Sequence, residues 1–100
     1  MDIVKNQEGD TLSITLKGRL DTNTAPQLEK ELESSLNEST KNLNFDFKEL
    51  VYVSSAGLRV ILSAQKKIDK ISGKMKIKNS SSNIKEVFEV TGFTDILTLE

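Results

Sequence analysis

Apolar positions in this chain switch repeatedly between two periods, two residues for strands and about 3.6 for helices. Around the turn signal Glu8-Gly9-Asp10, Ile3 to Glu8 and Thr11 to Lys17 read as two short β-prone runs. In the second, Leu12, Ile14 and Leu16 alternate with Thr11, Ser13, Thr15 and Lys17, the pattern of a strand with one buried face. The pair reads as an antiparallel hairpin. Gly18-Arg19-Leu20-Asp21 leads on to the cap-forming residues Thr22-Asn23-Thr24, and Pro26 suits a first helical turn. Ala25, Leu28, Leu32 and Leu36 predict a helix ending near Glu38, with Glu29, Lys30, Glu31 and Glu33 outside.

Leu43, Phe45 and Phe47 alternate with Asn44 and Asp46, predicting a strand over Asn42 to Phe47 and placing Asp46 near its C-terminal edge. The run Val51-Tyr52-Val53 then stops at Ser54-Ser55, passes Ala56-Gly57 and resumes at helical spacing. Leu58, Ile61, Leu62, Ile68 and Ile71 share one helix face, flanked by Val60 and Ala64, out to about Ser72 and the stop signal Gly73. Lys74 to Lys78 alternates as a strand. A third helix follows over about Asn83 to Val90, with Ile84, Val87 and Phe88 inward, ended by Gly92; Asp95 to Leu99 reads as a last turn or strand. The order β-β-α-β-α-β-α, with short connections, implies one α/β domain over residues 1–100, with a partly parallel mixed sheet.

A chain of 100 residues, 36% hydrophobic and 29% charged, has the composition of a packed domain. It contains no cysteine, which excludes disulfides and thiolate chemistry, and no histidine, which removes the usual general base. Ser-Ser-Ala-Gly is not a Gly-x-Ser-x-Gly elbow, and no base is at hand to activate either hydroxyl. The expectation is a binding protein rather than an enzyme, without metal or cofactor.

No run approaches the ~20 apolar residues of a membrane span, and Met1 to Lys5 resembles a strand rather than a leader, so the expected location is cytoplasmic and away from membranes. Charge is uneven: residues 1–50 hold 6 basic and 10 acidic side chains (−4), residues 51–100 hold 8 and 5 (+3). The basic stretch carries no interleaved aromatic residue to stack bases, so it reads as a solvated face and no nucleic-acid partner is expected. Monomer is the default expectation.

Ser54 and Ser55 stand where a helix begins, a place with unpaired N–H groups and about half a positive charge. On local chemistry either serine can be an N-cap. Gly57 suits close packing, Asp21 suits a loop cap, and Arg59 projects from the first turn toward partner or solvent.

Gly18-Arg19-Leu20-Asp21 with Thr24-Ala25 and Leu28, Phe45 to Gly57, and Val87-Phe88 with Thr91-Gly92-Phe93 resemble the STAS domain family, and within it bacterial anti-sigma factor antagonists. The resemblance spans nearly the whole chain and implies a four- to five-stranded mixed sheet with helices mainly on one face. The family's loop reads Asp-Ser-(Ser/Thr/Ala)-Gly-(Leu/Val), its serine being phosphorylated. Here that serine is Ser55, followed by Ala56, Gly57 and Leu58. Ser54 replaces the family aspartate and adds a second candidate acceptor. Asp21 matches a family aspartate close to the phosphorylation site and Asp46 a family aspartate or asparagine on the third strand; both are expected around that site, and Arg59 joins the expected partner surface.

By this resemblance, the unmodified protein binds an anti-sigma factor that is also a serine kinase, and a sigma factor is freed. Phosphorylation of Ser55 by that kinase ends the complex, and a metal-dependent serine phosphatase restores it. The alternative is a STAS-type binding module with another client, in a stress-signalling assembly or a lipid-transport complex.

Overall fold

The computed structural model describes residues 1–100. Strands β1 (Asp2–Glu8) and β2 (Thr11–Leu20) make the expected hairpin, turning at Gly9 with φ +58°. Helix α1 (Ala25–Ser35), strand β3 (Asn42–Val53), helix α2 (Ser55–Lys70), strand β4 (Lys74–Lys78) and helix α3 (Ser82–Val90) follow in the predicted order, and a 3-10 turn spans Phe93–Asp95. The sheet order is β1-β2-β3-β4, the first pair antiparallel and the other two parallel. A possible fifth strand is reduced to a single parallel bridge from Leu99 to Ile77 on the outer edge of β4.

Register explains the two-layer architecture. Leu12, Leu43 and Met75 lie in one cross-strand row, and Ile14, Phe45 and Ile77 in the next; all six are buried. The rows that alternate with them, Ser13-Asn44-Lys76 and Thr15-Asp46-Lys78, occupy the opposite, polar face. Onto the apolar face the helices bring Leu28 and Leu32 from α1, Leu58, Ile61, Ala64 and Ile68 from α2, and Ile84 and Phe88 from α3. All belong to one cluster of 22 buried residues. Each large side chain so removed from water contributes about 1.5–3 kcal/mol of transfer free energy.

The structure departs from the pattern reading at element ends. β2 and β3 continue beyond Lys17 and Phe47, to Leu20 and Val53, whereas β4 pairs only with Asn42 to Asp46. The two central strands therefore overhang the rest of the sheet. Register shifts between Thr15 and Lys17 and between Gly18 and Arg19 change the side-chain rhythm there: only Leu50 and Val53 are buried between Lys48 and Val53, a spacing of three. Helix α1 stops at Ser35, short of Glu38, because Leu36 is already extended with ψ 131°.

In α2 the buried stripe is centred on Ile61, Ala64 and Ile68 and takes in Gln65, while Leu62 and Ile71 sit half-buried at its margins. The chain reverses after α2 at Ser72, with φ +61°. Gly73 serves a different need, since a Cβ there would lie 2.8–2.9 Å from the Ile68 side chain and the Lys41 carbonyl. No helix is long and apolar enough to cross a membrane.

Candidate functional site

The overhang ends at the two serines. Ser54 N–H donates to the Leu20 carbonyl at 2.8 Å, adding one rung to the β2–β3 ladder before the chain enters α2. Ser54, extended at φ −90° and ψ 173°, is the N-cap: its Oγ accepts from Gly57 N–H at 3.2 Å, and its carbonyl accepts from Leu58 N–H at 2.9 Å. Ser55 is the first helical residue and is exposed. The two neighbouring hydroxyls are thereby separated in role, one spent on the backbone and the other facing solvent.

Gly57 is fixed by space. A Cβ on it would lie 2.7 Å from Leu20 Cγ and 2.9 Å from the Leu20 carbonyl oxygen, so only glycine lets the first turn of α2 press against the end of β2. Leu58 is buried beneath that turn, Ala56 is half-buried, and Arg59 is exposed.

Asp21 follows Leu20 and so stands at the same end of the molecule. Its Oδ1 accepts from the N–H groups of Asn23 at 3.0 Å and Thr24 at 3.1 Å, and from the Thr24 hydroxyl at 3.2 Å. Arg19 Nε lies 3.8 Å from Oδ2. Partial burial pushes this carboxyl upward, but the hydrogen bonds from Thr24 and Asn23 and the Arg19 charge outweigh it and hold the group below its ordinary value of 3.8. Asp21 thus organises the turn into α1 and remains an anion there.

Asp46 is not at this end, which corrects the sequence expectation. It sits on the open polar face in mid-β3, opposite Thr15 and Lys78. From that level to Leu20, β2 takes five further steps, about 16 Å at ~3.3 Å per residue, twice the screening length at physiological salt. Burial raises the Asp46 carboxyl, but Lys48 N–H at 3.0 Å, the Asn79 amide at 3.1 Å and the charges of Lys78 and Lys48 lower it on balance. Its work is to tie β3 to the loop after β4.

Pattern reading missed three exposed residues on the overhanging ends of β2 and β3. Val51 is 68% exposed and Tyr52 41%, although both belong to an apolar run in the sequence. Register places Arg19 opposite Tyr52, and its guanidinium stacks 4.2 Å from the Tyr52 ring centroid. The only signal in the sequence is the broken alternation at Lys48-Glu49; the pairing that brings Arg19 to Tyr52 appears only when the strands are aligned.

Clefts of about 450, 340 and 370 Å³ lie on the open sheet face, between the C-terminal ends of α1 and α2, and beside β4; none includes Ser55. No group of three or more acidic side chains gathers to hold a metal ion. An exposed hydroxyl, an apolar pair and two guanidiniums on open surface suit contact with another macromolecule better than enclosure of a small substrate.

Comparison with known proteins identifies the family and the fold. The STAS domain matches residues 2–100. The anti-sigma-B factor antagonist of Bacillus subtilis is 31% identical over 96 residues, covering 96% of this chain and 86% of that protein. Among solved structures, unphosphorylated SpoIIAA, an anti-sigma factor antagonist, superposes with a TM-score of 0.79 at 17% identity, over 99% of this chain and 87% of that one. The phosphorylated form of Bacillus SpoIIAA gives 0.78 at 18%, over 99% and 91%. At those identities the two structures establish the fold alone. The names are those of regulatory binding proteins, in line with a non-enzymatic role. The chain belongs to the STAS domain family, and its relatives there include anti-sigma factor antagonists.

Proposed function

We propose that this protein is an anti-sigma factor antagonist controlled by reversible phosphorylation of Ser55. Unmodified, it docks on an anti-sigma factor that is also a serine kinase, and a sigma factor is released. The kinase then moves the γ-phosphoryl group of ATP onto Ser55 Oγ: the new O–P bond forms as the bond to ADP breaks, and the hydroxyl proton passes to the kinase's base. A metal-dependent serine phosphatase returns the hydroxyl with water, releasing inorganic phosphate. This chain works in the cytoplasm, as a monomer and as the substrate of both enzymes.

One observation carries the reading. Ser55 is exposed at the entrance to α2 while Ser54 supplies the cap, so an acceptor hydroxyl is available without unwinding the helix. Relatives named anti-sigma-B factor antagonists supply the client class, and SpoIIAA exists in both an unphosphorylated and a phosphorylated form.

The energetics favour a switch that leaves the fold alone. A phosphate adds about −1.5 to −2 charges, a large change for a protein of net charge −1. The N-terminal end of α2 offsets part of that charge locally. A docked partner would have to bury it, at a cost of several kcal/mol, and each ~1.4 kcal/mol lost weakens binding tenfold.

The test pairs two assays. Incubation with the anti-sigma kinase and ATP, followed by peptide mass spectrometry, is expected to place the phosphate on Ser55 and not on Ser54. In native gels Ser55→Ala is expected to hold the kinase constitutively and Ser55→Asp to bind at least tenfold more weakly. Equal binding by both variants defeats the proposal. Capture of a different STAS client instead of an anti-sigma factor would replace it with the alternative module.

A further inference from the structure

Of the 14 basic residues only two are arginines, Arg19 at the end of β2 opposite Tyr52 and Arg59 four residues after Ser55; the other 12 are lysines. Arginine differs from lysine in carrying a flat fork of donors that meets a phosphate with two parallel hydrogen bonds. Arg19 is already engaged, stacked on Tyr52 and facing Asp21. Arg59 is not: the four ion pairs of the structure use Lys5, Lys17, Arg19 and Lys76. Ser55 and Arg59 are four residues apart in α2, and both are exposed. Side chains at that spacing lie one above the other, with Cβ atoms about 5–6 Å apart, close enough for an ion pair.

We infer that Arg59 is a built-in clamp for the Ser55 phosphate, free in the unmodified protein and closed on the phosphoryl oxygens in the modified one. The inference rests on Ser55 being the phosphoacceptor. Closure satisfies phosphoryl oxygens that the helix N-terminus alone leaves to water, so the phosphorylated first turn stays helical. It also withdraws the one unengaged guanidinium from the docking face at the moment the new charge appears there. Partner release then has two causes, an anion added and a cation removed.

The test uses protein with phosphoserine installed at position 55 by peptide ligation, which makes it independent of any kinase. Phosphorus NMR across pH 4–8 follows the second ionisation of the phosphate, ordinarily near pH ~6. Wild type is expected to titrate below that value. Arg59→Gln is expected to move the midpoint back up by about half a unit, roughly a threefold change in the ionisation equilibrium. Arg59→Lys should fall between, since it keeps the charge but not the fork, and Arg19→Gln should change little. Identical titration of wild type and Arg59→Gln overturns the clamp, as does a shift produced by Arg19→Gln alone. Failure of the kinase to label Ser55 defeats the functional proposal instead, leaving the NMR result to judge Arg59 by itself.

Discussion

At the scale of single residues, the two adjacent serines are predicted to behave oppositely. Ser54→Ala removes the acceptor for Gly57 N–H and is expected to cost about 1 kcal/mol of stability, the usual value of a helix cap. Ser55→Ala removes an exposed hydroxyl and should stay within about 0.5 kcal/mol of wild type. Urea unfolding of both variants checks the contrast, and equal losses would contradict the assignment of roles. Gly57→Ala drives a methyl into Leu20 and is expected to cost about 1–3 kcal/mol, since the obstacle includes a backbone carbonyl as well as a side chain. Little of this was legible in advance. Two serines before a helix state that one of them caps, but the choice of Ser54 follows from its extended backbone and its bond to Leu20, and both depend on strand register.

Among the elements, alternation and helical spacing located every strand and helix, because each buries one face against a single core. They failed where one face stops being the rule. The overhanging ends of β2 and β3 lack β4 beside them and contain register shifts, so Gly18 to Leu20 and Lys48 to Val53 lost the period-two signal and read as connections. The misplacement of Asp46 has the same cause, for a strand thought to end at Phe47 puts its last acidic residue at the site.

Asp21 belongs to this scale too, because its carboxylate ties β2 to α1. Its folded-state pKa lies below the unfolded one, so the stability it contributes is complete above about pH 5 and is lost as pH falls through 3.8 and below. Asp21→Asn keeps one acceptor oxygen but no charge. Its deficit against wild type, measured by urea unfolding, is therefore expected at pH 7 and should shrink at pH 3. A deficit that grew on acidification would show that the charge does not stabilise the turn.

For the molecule as a whole, burial is concentrated at β3. Leu43, Phe45 and Phe47 are fully buried and β3 is flanked on both sides, whereas six of the seven residues of edge strand β1 are exposed. Native-state hydrogen exchange is expected to show Leu43 to Phe47 opening only with global unfolding, and β1 amides exchanging through smaller openings. The overhang lies beyond the part of the sheet where β2, β3 and β4 run side by side, and Arg19, Val51 and Tyr52 on it, with Ser55 and Arg59 on α2, are all exposed. Their replacement leaves the packed interior untouched. On the proposed function, recognition can therefore be retuned on this surface by substitutions that the scaffold beneath does not register.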